Sequence, residues 1–364
     1  LRSFRIVNAP ARLVMPDVSL VRLGDPGESA RIERFVGENG GSVFHRPLWL
    51  RAIERGTGQQ AMGLALERAG CLVAWLPLTL VHSPLFGRAL VSSGFGVGGG
   101  VLAGRRQDAE TLCRAAEELA LRTNVSSIEL RGGDAPEDWE QTSTSHCNFI
   151  GELATSDEAQ LLAIPRKARA EVRKGLNGDF SIAVGSDEAD RAAHYAVYAE
   201  SVHNLGTPVF PRGLFDAVLD SFGKDADILT VRHQGKPVAS VLSVYHDDGN
   251  GLAVMPYWGG GTYAARGLRA NERMYYELML HARKRGCTRF DFGRSKTGSG
   301  PYHFKKNWGF EPEPLTYSSW SAPGVAARNI DPTDASYARK IELWKRLPLS
   351  LANAIGPHIA RGLG

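Results

Sequence analysis

Cysteine is scarce in this chain: four residues, Cys71, Cys113, Cys147 and Cys287, with no CxxC pair among them. That scatter argues against a thiolate zinc site or a disulfide framework and predicts free, mostly buried thiols in a reducing compartment. Long apolar runs are also missing. None reaches the roughly 18 residues a membrane-spanning helix needs, and the opening LRSFRIVNAP holds no secretory apolar core, so a cytoplasmic protein is expected. Neither charge dominates. Lys and Arg number 43 against 39 Asp and Glu, a net +4, too little to mark a nucleic-acid binder, although a local basic cleft fits within it. No sustained heptad pattern appears between residues 178 and 330, which speaks against a long coiled-coil arm.

What is present suits two ordinary domains: 364 residues, 43% apolar and 23% charged. Two segments run through the same order of elements. The first reads as strands AWLPLTLV (74–81) and ALVSSGF (89–95), the cluster GVGGG (96–100), a helix over 108–122 and the strand SSIELRGG (126–133). The second reads as ASVLSVYH (239–246), GLAVMPYW (251–258), GGG (259–261), a helix over 271–285 and the strand TRFDFGRS (288–295). The offset from glycines to final strand is 30 residues in one copy (98 to 128) and 31 in the other (259 to 290). Apolar stripes at Leu112, Ala115, Ala116 and Leu119, and at Met274, Leu278, Met279 and Ala282, support both helices, with Asp108 and Asn271 as candidate N-caps. Chance recurrence is the competing reading; the matched spacing favours duplication.

This order resembles the core of the GNAT acyltransferase fold, where glycines let a helix N-terminus approach a pyrophosphate. The expected class is therefore α/β, with two tandem GNAT-like (acyl-CoA N-acyltransferase-like) domains whose mixed sheets are flanked by helices. Against the acyl-CoA loop pattern Q/R-x-x-G-x-G/A, the best placement, Ala264 to Arg269, fails at both ends. Between the copies, residues 156–178 read as a helix interrupted at Pro165, with Arg166, Lys167, Arg169, Arg173 and Lys174 on its second half. A basic helix is either a solvated face or a cationic run beside an anion cleft. Residues 187–204 and 212–223 read as two further helices joined by LGTPVFPRG.

The stretch FDFGRSKTGSGPYHFKKNWGF (290–310) concentrates the candidate chemistry. It reads as a phosphate-cradling loop, a nucleic-acid grip or a glycine-rich connection. Lys305 follows a Gly-Ser-Gly turn; in an extended segment it and Lys306 would face opposite ways, and Lys305 is the one expected to point inward. Asp291, between Phe290 and Phe292, is either a general base or the partner of Arg294; Glu129 beside Arg131 is its counterpart in the first copy. Arg294 and Lys296 suit an anionic donor or acceptor, or are solvated loop charges. Tyr302 and His303 are candidates to move a proton. Tyr257 and Trp258, before the second glycine cluster, either stack a substrate or pack in the core. Thr207 and Arg212 are candidates to line the same cleft.

The same stretch, with FHRPLWLRAIE (44–54), LPLTLVHSPLFGRALVSSGF (76–95), IPRKARAEVRKG (164–175) and LGTPVFPR (205–212), resembles the Fem-type peptidyltransferases. More closely it is similar to FemAB-like proteins associated with exosortase/PEP-CTERM exopolysaccharide loci. The resemblance spans roughly residues 44–317. It implies that Phe304-Lys305 is a Phe-Lys pair in a catalytic cleft, the lysine stabilising the oxyanion of acyl transfer. It also implies a first-domain cleft for a nucleotide-sugar diphosphate, for which Arg166, Arg169 and Arg173 are candidates by charge and position, while Trp49, Phe86 and Arg88 come from the matching first-domain stretches.

The expected function is transfer of an acyl or aminoacyl group onto an amine of a cell-envelope or exopolysaccharide precursor. The donor would be aminoacyl-tRNA, acyl-CoA or acyl carrier protein, with no metal. The alternatives are a fatty-acyl N-acyltransferase and a non-catalytic assembly factor of the polysaccharide machinery. Domain boundaries are expected at 1–155, 156–325 and a helical tail 326–364. The tail, apolar with Lys345, Arg346 and Arg361, either packs on the body or forms an interfacial helix that would place the protein peripherally at the inner membrane.

Overall fold

The structure is a computed structural model that describes residues 15, 17–83, 87–325 and 341–362. The opening LRSFRIVNAP, Phe86 and tail residues 326–340 lie outside the described residues.

Unit one runs β1 (Val18–Leu20), α1 (Pro26–Glu38), α2 (Pro47–Thr57), β2 (Gln60–Arg68), β3 (Cys71–Ser83), β4 (Gly87–Ser92), β5 (Leu102–Ala103), α3 (Arg106–Arg122) and β6 (Ser127–Arg131). A connecting segment holds β7 (Glu140–Asn148), β8 (Ile150–Glu152), α4 (Asp157–Ala163) and α5 (Arg166–Leu176). Unit two repeats the first order with β9 (Ser181–Gly185), α6 (Glu188–Leu205), α7 (Arg212–Phe222), β10 (Ala226–His233), β11 (Lys236–Asp247), β12 (Leu252–Gly261), α8 (Tyr263–Leu268), α9 (Ala270–Lys284) and β13 (Arg289–Asp291). Then come β14 (Ser295–Lys296), α10 (Gly300–Asn307), β15 (Glu313–Ser321) and α11 (Leu349–Ala360).

The larger sheet is ordered β1-β2-β3-β4-β6-β15-β7-β14, with β5 on β3; the smaller is β8-β13-β12-β11-β10-β9. The units therefore exchange strands. β8, from before the expected boundary at 155, closes unit two's sheet, and β14 and β15, from near the expected end of unit two, complete unit one's sheet. Sheet membership thus does not follow the expected boundaries. A shared core adds to this tie: Trp49 of α2 stacks on Trp258 of β12 (6.0 Å, 16°), and Phe222 of α7 meets Trp49 edge-on at 6.4 Å. Trp49 is fully buried, and a side chain of that size contributes about 3 kcal/mol on burial.

Several local expectations shift. α3 and α9 begin at Arg106 and Ala270, capped at Arg105 and Arg269. Asp108 does not cap; it is buried, with Arg105 at 2.8 Å and Arg68 at 2.9 Å, and Arg105 first among these holds its carboxyl below the ordinary range against the cost of burial. The strand expected over 288–295 breaks after Asp291, because Gly293 turns at φ +72° and sends the chain to the other sheet. Residues 300–307, where the choice of Lys305 over Lys306 supposed an extended chain, are helical. The break at Pro165 between α4 and α5 is as expected. Of the four free cysteines only Cys71 is exposed. Among the described residues no helix is long and apolar enough to cross a membrane.

Candidate active site

In each unit a parallel strand pair forks. β4 meets β6 only at Leu90↔Ile128 and Val91↔Glu129, and β12 meets β13 only at Ala253↔Arg289 and Val254↔Phe290. The first fork is filled by its own chain. The loop after β4 folds back so that Gly100 N–H donates to the Arg131 carbonyl (3.0 Å) and Arg131 Nη1 donates to the Gly96 carbonyl (2.6 Å). A Cβ on Gly100 would lie 1.6 Å from the Gly132 oxygen, so only glycine fits there. In the second fork β12 runs on to Gly261 with β11 as its sole strand partner beyond Val254 among the described residues. The ladder slips by one residue at Tyr257, a bulge of the kind found beside functional sites.

Lys305 stands just past the end of β13. Ser299 caps α10 by accepting the Tyr302 N–H, and Pro301 opens its first turn. This places Lys305 inward, 8% exposed, and leaves Lys306 exposed. The inward choice agrees with expectation, though a helical turn and not strand alternation produces it. Lys305 Nζ donates to the Gly293 (2.8 Å) and Arg294 (2.9 Å) carbonyls and lies 5.5 and 5.7 Å from the ring centroids of Phe149 and Phe292. Burial pushes its pKa down from 10.5 to about 8; Asp291 opposes that fall and Arg294 adds to it.

Asp291 makes no ion pair with Arg294 among the described residues. Its Oδ1 accepts the Gly293 N–H at 2.9 Å, so it shapes the turn whose carbonyls hold the Lys305 ammonium. Burial pushes the Asp291 carboxyl up, while the Gly293 bond and Lys305 pull it down. Arg294 Nη1 instead donates to Tyr317 Oη at 2.8 Å, and that hydroxyl donates to the Val97 carbonyl at 3.2 Å. Trp49 donates to the Gly94 carbonyl and Tyr257 to that of Phe95, so side chains from both units pin the loop that fills the first fork. Glu129 and Arg131 pair at 2.9 Å, as the architectural reading expects.

The other expected residues divide into those near Lys305 and those spent elsewhere. Phe304 packs at 5.7 Å from Tyr275 and 6.1 Å from Phe292. Tyr302 meets Phe149 edge-on at 5.4 Å, and His303 is exposed beside it. Lys296 is half-exposed in β14. Trp258, 4% exposed and stacked on Trp49, is a core residue rather than a substrate platform. Arg212 is engaged by Glu188 and Asp216, which removes it as a free anion ligand, and Thr207 is exposed beyond α6. Arg88 reaches the Asn124 carbonyl in unit one. Along α5, Arg169 donates to the Leu162 carbonyl, while Arg166 and Arg173 are exposed. Pro165, at the start of that helix, lies against Gly309, just past α10, which brings the basic segment next to the Lys305 helix.

Sequence reasoning missed Tyr275, Phe149 and Tyr317. Tyr275 packs 4.8 Å from Phe292, and a Cβ at Gly259 would sit 3.5 Å from its hydroxyl, so it links β12 to the residue after β13. Burial pushes that hydroxyl up to about 12. Its position one residue off the buried stripe of α9 was the available signal. Two surface hollows lie elsewhere: one of about 580 Å³ beside Arg106, Trp139 and Thr316, one of about 250 Å³ beside Arg46, Tyr245 and His246.

A family profile described as Acetyltransferase (GNAT) domain matches residues 165–306, from the cap of α5 through Lys305 in α10. Comparison with curated protein sequences finds no match. Among solved structures, FemX is similar with a TM-score of 0.60 at 15% identity, over 80% of this chain and 95% of its own. A tandem GNAT protein from the clavulanic acid biosynthesis pathway gives 0.56 at 11%, over 85% and 100%. Saccharomyces cerevisiae N-myristoyltransferase with bound myristoylCoA gives 0.55 at 10%, over 88% and 86%. At these identities the likeness is one of fold, and the fold is two tandem GNAT-like units.

Proposed function

We propose that this protein transfers an acyl or aminoacyl group to an amine, with the reaction at the open fork of unit two. The observation that carries the reading is Lys305: a buried ammonium with two backbone carbonyls and two aromatic rings around it, at the turn that follows β13. An ammonium held in a dry site is costly to keep unless charge develops nearby. Attack of an amine on an ester or thioester carbonyl creates such a charge, and a preorganised cation stabilises it better than water does. Phe304 would pack against the donor, and Asp291 is the candidate to take the proton the amine loses and return it to the alcohol or thiol that leaves as the carbonyl re-forms. Arg166 and Arg173, exposed cations of the helix that starts at the Pro165–Gly309 contact, suit a phosphate of donor or acceptor.

The resemblance to FemAB-like proteins of exosortase/PEP-CTERM loci supports an envelope or exopolysaccharide precursor as acceptor and aminoacyl-tRNA as donor. A second donor class has its own support. The edge of β12 beyond Val254 has no strand on its outer side among the described residues, and an extended pantetheine arm of acyl-CoA or acyl carrier protein could add there as a strand. Assaying the purified protein with labelled aminoacyl-tRNA, acyl-CoA and acyl carrier protein separates these donors. Lys305→Met should abolish transfer from whichever donor is used while circular dichroism stays unchanged; wild-type turnover in that variant would remove the mechanism.

A further inference from the structure

The C-terminal helix α11 is tied to the body along one face. Ala352, Gly356 and Ala360 are buried, Gly356 against Val209, and Gln59 Nε2 donates to the Arg361 carbonyl at 2.7 Å just beyond the helix. Its opposite face is what a solvated helix should not have. α11 contains no Asp, Glu, Lys or Arg, and its outward positions include Leu351 (46% exposed) and Ile355 (38%), with Ala354 and His358 also exposed. The apolar surface continues towards the preceding helical turn at 341–345, where Leu343 is 66% exposed, and to Leu205 (58%) at the end of α6. Leu205 adjoins that turn, because the neighbouring Gly206 lies against Ile341 and Lys345. Four of the nine large exposed apolar side chains among the described residues thus belong to this segment and to the end of α6 that it adjoins.

Along this segment the charges are one-sided. Between residues 341 and 362 the only acid is Glu342, already paired with Lys345 at 3.1 Å, whereas Lys345, Arg346 and Arg361 are basic. We propose that this face lies on an anionic lipid surface, with Leu343, Leu351 and Ile355 dipping below the headgroups and Lys345, Arg346 and Arg361 meeting lipid phosphates. An apolar helix face with a cationic border is the arrangement that binds membrane interfaces without crossing them. A second protein is a poorer occupant. A stable protein interface needs ~800 Å² of matched surface per partner, whereas a lipid surface requires no matching shape. Packing on the body and touching a membrane, alternatives for the tail in the sequence, are opposite faces of one helix.

Flotation of the full chain with vesicles tests this, using phosphatidylcholine alone and phosphatidylcholine containing phosphatidylglycerol. The protein should float with the anionic vesicles only and be released by high salt. The double variant Leu351→Glu/Ile355→Glu, at surface positions, should remain folded by circular dichroism and stop floating. Replacing Lys345 and Arg346 by Gln should weaken the anionic preference, by roughly fivefold for each cation removed. Equal or absent flotation of wild type and variant would overturn the proposal. So would a concentration-dependent dimer in sedimentation velocity that the same double variant abolishes, since that assigns the face to a second copy.

Discussion

The burial of Lys305 makes its protonation the most direct way to probe the site. The ammonium lies 8% exposed, and its pKa falls from 10.5 to about 8 because burial disfavours the charged form. At about 1.4 kcal/mol per pH unit, that drop represents about 3 kcal/mol of cost to the folded state. The sign follows from proton counts. Below about pH 8 the lysine is charged in both states and the cost is present in full. Between about 8 and 10.5 the folded lysine is neutral while the unfolded one still binds a proton, so stability rises with pH. Wild type should therefore gain about 2–3 kcal/mol relative to Lys305→Met between about pH 7 and 10, measured by urea unfolding of both proteins at each pH. Transfer moves the other way. If the ammonium stabilises the oxyanion, the rate should fall tenfold per pH unit above about 8. The acceptor amine titrates too, but identically in Lys305→Arg, whose charge persists, so the ratio of the two kcat/KM profiles isolates Lys305. A ratio that stays flat through pH 9.5 would refute the oxyanion role. A ratio that rises would assign Lys305 as a general base.

Three other perturbations separate site from scaffold. Asp291→Asn keeps an oxygen for the Gly293 N–H but removes the charge that holds the Lys305 pKa up. It should slow transfer at every pH, as loss of the candidate base requires, and move the upper pH limb of the remaining activity to lower pH; an unmoved limb would mean that Asp291 does not act through Lys305. Gly100→Ala drives a Cβ into the Gly132 backbone and should cost about 3 kcal/mol or more by denaturant unfolding; a neutral result would show that the loop does not fill the first fork. Trp258→Ala should cost about 3–5 kcal/mol of stability with little change in KM, because the ring belongs to the inter-unit stack; a large KM effect in a stable variant would return it to the substrate site.

Much of the architecture was legible because it is local. The stripe of α9, the break at Pro165 and the matched strand–glycine–helix–strand order all follow from spacing along the chain. The exchanged strands were not legible. Nothing in residues 313–321 marks them as the strand that inserts between β6 and β7, since pairing partners leave no period in either sequence. The helical state of 300–307 could have been read: Ser299 followed by Gly300-Pro301, with lysines in the last turn, is a helix start and stop. The glycines on either side of Ser299 made it look like a turn. Asp108 failed as a cap for a different reason, since two arginines, one of them 40 residues away in sequence, bury its carboxylate.

If transfer takes place beside Lys305, the two forks explain why a duplicated fold carries one reaction centre. Both units splay the same pair of strands, so both begin with the same opening. In unit one the backbone from Gly94 to Val101 occupies it, and four side chains, Trp49, Tyr257, Arg131 and Tyr317, hold successive carbonyls of residues 94–97. Tyr257 comes from β12, and Tyr317 also accepts from Arg294, the residue whose carbonyl holds Lys305. The closed fork is thereby connected through one hydrogen-bonded chain to the turn that holds the Lys305 ammonium. Weakening that chain should loosen the position of Lys305 without touching it. Tyr317→Phe removes the hydroxyl that links Arg294 to Val97, at about 1–2 kcal/mol of stability. It should lower kcat for transfer more than it raises KM for the donor, because what it relaxes is the geometry of the charge-stabilising group and not the surface that binds substrate.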